Sequence, residues 1–314
     1  MNRSGALDNP GSAYPGTALP FLFAGKDVAR EALNVNQVLS QAAETLTACG
    51  IEEARLETEV LLAHVLDWPR ARLLAYPDHR LAADQTRRFG RLIALRAARW
   101  PLPYLTGWRE FFGLRLRVNR AVMIPRPETE LLVEAAINRL PTANRQPLTV
   151  VDVGTGSGAI AIALAKHLPG VVVTATEASL RALRVAAYNC RLHGLTDRVR
   201  LLWGDLLQPL DQPVDLIVAN LPYIPTGDLA SLPPEVQHEP RLALNGGPDG
   251  LDIICRLLNQ ARDCLKPGGS LLLEIGAEQG PAARALAEVR FPASQVEVLK
   301  DYAGLDRILR IGPD

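Results

Sequence analysis

The chain has no excess of charge of either sign: across 314 residues, 34 Lys+Arg face 34 Asp+Glu. Net charge therefore makes no general case for binding nucleic acid or an anionic membrane. No apolar run approaches the ~20 residues that a membrane-spanning helix needs. The longest early candidate, residues 18–25, is interrupted by Pro20 and has only Arg3 as a basic flank, a poor export signal. Cysteine is scarce. Cys49, Cys190, Cys255 and Cys264 form no CxxC pair and read as the reduced thiols of a cytoplasmic protein. None of the five histidines has metal-ligand spacing with another, so no metal site is expected.

What is there is ordinary globular text, with 48% hydrophobic and 22% charged residues, long enough for two domains. Residues 1–33 carry Gly, Pro, Ser and Asn without periodicity, as in a flexible leader. A small helical domain is expected over 34–102. Leu39, Ala42, Ala43 and Leu46 recur at helical spacing, as do Leu56, Val60, Leu61, Ala63 and Leu66, and Leu92, Ile93 and Leu95 resume the pattern after Pro69 and Pro77. Between Trp68 and Arg120 lie twelve arginines against three acids. Two readings stay open: solvated faces balancing the acids just before them, or an electropositive surface for a partner.

A hairpin and linker are expected over 103–127. Leu114, Leu116 and Val118 alternate with Arg115 and Arg117, as in a half-buried strand. In Ile124-Pro-Arg-Pro-Glu-Thr-Glu130 the two prolines force an extended approach to a helix from Glu128. From 128 to 314 strands and helices alternate. Strands are expected at 148–153, 171–176, 199–203, 215–219, 270–275, 295–299 and 307–311, with helices at 159–167 and 180–193. Continuous apolar runs predict strands covered on both faces, a doubly wound α/β domain with a mostly parallel sheet.

Val151-Asp-Val-Gly-Thr-Gly-Ser-Gly158 sits between an expected strand and helix. Glycines there allow close backbone approach to a ligand, and the helix N-terminus offers free N–H donors. Gly154, Gly156 and Ala159 also satisfy a dinucleotide-binding pattern, and Glu177 at the next strand end suits ribose hydroxyls of either cofactor type. Asp205, after the third strand, fits an adenine amino group and so favours S-adenosylmethionine over a nicotinamide. The alternative for Asp205 is a helix N-cap. Asn220-Leu-Pro-Tyr223 ends the fourth strand. Asn220 supplies a side-chain oxygen and Leu221 a carbonyl, two acceptors that grip a planar NH2. Pro222 pre-aims that carbonyl and Tyr223 offers an aromatic face. The chemistry is methyl transfer to nitrogen, with no metal or covalent nucleophile.

These segments, with Pro103-Tyr-Leu-Thr-Gly107, Glu239-Pro240, Gly247-Pro-Asp-Gly-Leu251, Leu265-Lys-Pro-Gly-Gly269 and Glu274-Ile-Gly276, resemble the HemK/PrmC-type peptide chain release factor glutamine methyltransferases from about residue 35 onward. The resemblance implies a class I S-adenosylmethionine-dependent methyltransferase fold, Rossmann-like with a seven-stranded sheet, and a small N-terminal helical domain that helps dock the substrate. It implies N5-methylation of the Gly-Gly-Gln glutamine of class 1 release factors by a cytoplasmic monomer. It also places Arg126, Pro127, Thr129, Asp152, Gly154, Thr155, Gly156, Gly158, Glu177, Asp205 and Asn220 at the cofactor. The usual Asn-Pro-Pro-Tyr has Leu221 in place of its first proline here, a change that keeps the carbonyl. Residues 224–250 are expected to form part of the substrate wall, with His238 in a surface or structural role. Rival readings are a ribosomal-protein glutamine methyltransferase, an adenine or cytosine amino methyltransferase, a nicotinamide oxidoreductase and a non-catalytic binding protein.

Overall fold

A computed structural model describes residues 33–140 and 148–313, which divide into two compact units between Leu105 and Thr106. The expected leader lies outside the described residues, apart from Leu33. The first unit contains α1 (Val35–Ala48), α2 (Ala54–Leu66), the short α3 (Arg70–Ala75) and α4 (Ala83–Ala97), followed by α5 (Leu102–Thr106). Asn34 starts α1 through a capping box: its Oδ1 accepts from Gln37 N, and Gln37 Oε1 accepts from Asn34 N, each at 2.9 Å. The α1 stripe buries Leu39, Ala42 and Leu46, as the spacing requires. In α2 the expected stripe is too narrow. Leu56 and Val60 are half-buried, while Leu62 and Val65 are buried, because α2 packs against both α1 and α4.

Part of the arginine excess is spent inside this unit. Arg96 is buried and pairs with Glu57, and Arg55 and Arg70 flank Glu59 at 2.9 and 2.8 Å. For Arg70 and Arg96 the balancing of neighbouring acids is the structural fact. Arg87, Arg88 and Arg91 point to solvent on α4.

The second unit opens with the hairpin β1 (Trp108–Phe111) and β2 (Leu114–Arg117), in which Phe111 and Leu116 are buried and Arg115 is exposed. The guanidiniums of Arg115 and Arg117 lie 4.4 and 5.2 Å from the Trp108 ring centre. Then follow α6 (Glu128–Arg139), β3 (Leu148–Val153), α7 (Ala159–His167), β4 (Val171–Glu177), α8 (Leu180–Leu192), β5 (Val199–Trp203) and β6 (Val214–Asn220). After three short 3-10 turns come α9 (Asp252–Cys264), β7 (Leu265–Glu274), α10 (Gly280–Arg290), β8 (Gln295–Lys300) and β9 (Asp306–Gly312).

The seven strands order as β5-β4-β3-β6-β7-β9-β8, parallel except for β9. Period-2 alternation divides the core. Val150, Leu216, Val218 and Leu272 pack under α6 and α7, while Val151, Ile217, Leu271 and Leu273 pack under α9 and α10. The expected strand at 270–275 begins earlier, at Leu265. The register jumps from Val214↔Leu265 to Leu216↔Ser270, so Lys266-Pro-Gly-Gly269 bulges within the strand rather than preceding it.

Sequence order runs outward from β3 to β5 on one side and from β6 to β7 on the other. Loops leaving β3 and β6 therefore diverge at their carboxyl ends and leave a crevice there.

Candidate active site

A cavity of about 380 Å³ opens at that crevice. Its floor is the turn after β3. Gly154 has φ +73°, and a Cβ there would sit 2.9 Å from Leu221 Cδ2, so a side chain would push into the β6 tip. The turn is held from below by Asp152. Its Oδ2 accepts from Thr155 Oγ1 at 2.6 Å and from Ala161 N at 3.0 Å, tying the loop to the first turn of α7. Burial pushes the Asp152 carboxyl up to about 6, opposed by those two hydrogen bonds and reinforced by the nearby Glu177 charge. Its Oδ1 is buried without a hydrogen-bond partner.

Glu177, at the end of β4, accepts from Gly156 N at 2.9 Å and from Ser179 N at 2.8 Å, one bond on each oxygen. A carboxylate has about four acceptor positions, so two remain for a ligand. Asp205 lies on the adjoining wall and pairs with Arg256, which also lines the cavity. No helix is capped by its side chain. The third wall is β6. Asn220 Nδ2 donates to Thr129 Oγ1 at 2.9 Å, which commits the amide nitrogen and leaves Oδ1 as the free acceptor.

Of the residues expected to act, Thr129, Gly154, Thr155, Gly156, Glu177, Asp205, Asn220, Leu221 and Pro222 all line this one cavity. Five others do not, and each has a physical reason. Asp152 is wholly buried beneath the turn. Gly158, at φ +84°, is a packing glycine whose Cβ would meet Ile162 Cδ1 at 3.1 Å and Ala186 Cβ at 3.4 Å. Arg126 turns to Glu239, donating to Oε1 at 2.5 Å, while Glu239 Oε2 accepts from Ile124 N at 3.1 Å. Pro127 leads into α6 from the same stapled segment, which contributes Pro125 and Thr129 to the lining instead. Tyr223 sends its hydroxyl to Glu274 Oε1 at 3.4 Å, and its carbonyl accepts from Gln279 Nε2 at 2.9 Å. Burial raises the Tyr223 phenol to about 12, with the Glu274 charge adding to the effect.

The segment expected as substrate wall supplies Pro240, Leu242, Ala243 and Asn245, and His238 stays outside the lining. Sequence reasoning missed Arg256, Pro125 and the Thr129 bond to Asn220. Pro125 lies within the Ile124–Glu130 segment already singled out, whereas Arg256 sits 51 residues from Asp205 and left no local signal. Among the described residues no cluster of His, Cys, Asp and Glu could hold a metal ion, and no helix is long and apolar enough to cross a membrane.

The strand order, the glycine turn after β3 and the Asn-Leu-Pro-Tyr segment after β6 define a class I methyltransferase domain preceded by a helical unit. Family models agree: a PrmC N-terminal domain matches residues 37–107 and a methyltransferase small domain matches 128–231. The chain belongs to the release factor glutamine methyltransferase family. It is 49% identical to the Moorella thermoacetica release factor glutamine methyltransferase over 276 residues, covering 88% of this chain and 97% of that protein. The protein of the same name from Geobacter sulfurreducens is 42% identical over 286 residues, 90% of this chain and 98% of the relative. Among solved structures, the release factor-specific protein-(glutamine-N5) methyltransferase of Alicyclobacillus acidocaldarius is 30% identical, covering 61% of this chain and 94% of its own, with a TM-score of 0.39.

Proposed function

We propose that this chain methylates the side-chain nitrogen of the glutamine in the Gly-Gly-Gln loop of class 1 release factors, using S-adenosylmethionine. The observation that carries the reading is the Asn220 amide. Its nitrogen is occupied by Thr129, which leaves its oxygen to accept from a substrate NH2, and it lines the same cavity as the glycine cradle. The names of the relatives supply the acceptor protein.

The residues present fit the cofactor. A Cβ at Gly156 would meet only the Gly154 carbonyl, at 3.9 Å, so this glycine keeps cavity space open. Glu177 keeps acceptor positions for ribose hydroxyls, and Asp205 stands where an adenine amino group can be met. S-adenosylmethionine, when bound, supplies an electrophilic methyl group. The protein's task is to orient a poor nucleophile, since a carboxamide lone pair is delocalised into its carbonyl. Asn220 Oδ1 and the Leu221 carbonyl accept the two amide hydrogens and fix the nitrogen's position. As the nitrogen forms its bond to carbon and gains positive charge, those two hydrogen bonds strengthen, which favours the transition state over the ground state. One N–H proton then passes to solvent water, giving the N-methyl amide, and the cofactor, its methyl–sulfur bond broken, would leave as the neutral thioether. Pro222 restrains Leu221 to extended backbone and so keeps its carbonyl aimed.

Transfer of labelled methyl from S-adenosylmethionine tests this. The acceptors are a purified class 1 release factor, its Gly-Gly-Gln→Gly-Gly-Ala variant, ribosomal proteins and DNA. Label on the wild-type factor alone, mapped to that glutamine, is the expected result. Label on ribosomal protein or DNA instead would overturn the substrate and keep the chemistry.

A further inference from the structure

Gln279, the N-cap residue of α10, is half-buried and stays out of the cavity lining, yet it holds the segment from Asn220 to Tyr223. Its Oε1 accepts from Gly276 N and its Nε2 donates to the Tyr223 carbonyl, each at 2.9 Å. Its own backbone N–H donates to the Gly276 carbonyl, also at 2.9 Å, so the side chain springs from a closed turn just past β7. The polarity of this bridge is fixed. A backbone N–H only donates and a backbone carbonyl only accepts, so each end of the amide has one possible partner. An ionised carboxylate of the same shape would offer acceptors alone.

The bridge is closely walled. Gly250 has φ +78°, and a Cβ there would strike the Tyr223 carbonyl oxygen and sit 2.6 Å from Gln279 Nε2. A Cβ at Gly246 would lie 2.8 Å from the Pro222 carbonyl oxygen. Both glycines belong to the 224–250 segment, which pairs with the end of the strap. Ile224 N donates to Leu244 O at 3.0 Å, and Gly246 N donates to Ile224 O at 2.8 Å.

These contacts bear on the second acceptor, the Leu221 carbonyl. Upstream, Asn220 is fixed by its register with Glu274 across β6 and β7 and by its bond to Thr129. Between Asn220 and Tyr223 the soft dihedrals are those of Leu221, ψ of Pro222 and φ of Tyr223, since the Pro222 ring locks its own φ. Pro222 confines Leu221 to extended backbone, which is a broad region and not a single direction. A hold on the Tyr223 carbonyl closes the segment at its far end and narrows the directions open to the Leu221 carbonyl.

We propose that Gln279 is a positioning residue for methyl transfer: by bridging Gly276 N and the Tyr223 carbonyl it fixes the far end of this segment and so aims the Leu221 carbonyl at the substrate nitrogen. This rests on the glutamine-methylation reading above.

Gln279→Ala removes the bridge, and Gln279→Glu keeps its shape while setting a carboxylate oxygen against the Tyr223 carbonyl. At about pH 8 both should lose about 10- to 100-fold in kcat, with KM for the release factor and the S-adenosylmethionine dissociation constant within about threefold of wild type. Gln279→Glu carries its own rescue. Once protonated, the introduced carboxyl accepts from Gly276 N and donates its O–H to Tyr223, as the amide does. Its kcat relative to wild type should rise at least about fivefold as pH falls from about 8 to about 5.5, while the Gln279→Ala ratio stays flat. Unchanged kcat in Gln279→Ala, or parallel pH profiles for the two variants, would overturn the proposal.

Backbone hydrogen exchange in the cofactor-free protein gives a readout without turnover. The Ile224 and Gly246 amides, whose bonds adjoin the bridge, should exchange at least about tenfold faster in Gln279→Ala than in wild type. Equal exchange would mean that Gln279 does not hold the segment, and the proposal would fall. If wild type transfers no methyl to a release factor, the functional reading fails, and the exchange measurement still decides the role of Gln279.

Discussion

Replacing Asp152 by asparagine separates a buried charge from the hydrogen bonds that hold the glycine turn. In the folded chain the carboxyl is raised from 3.8 to about 6, chiefly by burial. A carboxyl whose folded pKa exceeds its unfolded one binds protons more tightly when folded. It therefore costs stability as pH rises through the window between the two values. The shift corresponds to about 3 kcal/mol in total, of which roughly 2 kcal/mol falls between pH 4.5 and 7. Asparagine can keep both bonds through its amide oxygen, to Thr155 Oγ1 and Ala161 N. Its NH2 would occupy the place of the unpartnered Oδ1, at a cost that does not vary with pH. The quantity to measure is the difference in unfolding free energy, Asp152→Asn minus wild type, from urea titrations followed by circular dichroism at several pH values. That difference should rise by about 2 kcal/mol from pH 4.5 to 7, whatever its absolute level. A flat difference would refute the claim that Asp152 is a strained buried acid beneath the cradle.

Other outcomes follow from the same geometry. Asn220→Ala removes one of two acceptors and should lower kcat by about 100-fold or more while calorimetry finds cofactor affinity unchanged. Gly154→Ala places a Cβ at φ +73° and 2.9 Å from Leu221 Cδ2, so about 1–2 kcal/mol of stability and much of the cofactor affinity should be lost. Gly50→Ala, at the same φ of +73° but with nothing within 4 Å, should show the backbone cost with cofactor affinity intact. Arg126→Ala leaves the buried Glu239 without its counter-ion. About 2 kcal/mol should be lost, with hydrogen exchange rising in residues 236–245, and Arg126→Met with Glu239→Leu should recover most of it.

The sequence by itself determined the elements and the residues that converge. The expected strands at 148–153 and 199–203 and the helix at 159–167 match the observed spans residue for residue. β3 is buried almost throughout because helices cover both its faces, whereas β5 ends the sheet with Arg200 and Trp203 exposed. The glycine turn, Glu177, Asp205 and Asn220 were legible because each sits at the end of such a strand, and parallel strands carry all their carboxyl ends to one edge. Tertiary structure alone decided how those residues divide their work. Asp152 and Gly158 belong to the turn's motif but stay out of the lining, which Gly154 to Ser157 supply. Asp152 is buried at the end of β3, and Gly158 packs against Ile162 and Ala186. Arg126 and Tyr223 reach away from the cavity because Glu239, 113 residues from Arg126, and Glu274, 51 residues from Tyr223, are buried carboxyls that need them. The facing of the Asn220 amide is set by Thr129 on α6, 91 residues distant in sequence. Hydrogen-bond direction depends on which donors and acceptors the fold brings within 3 Å, and local sequence carries no record of partners that far along the chain.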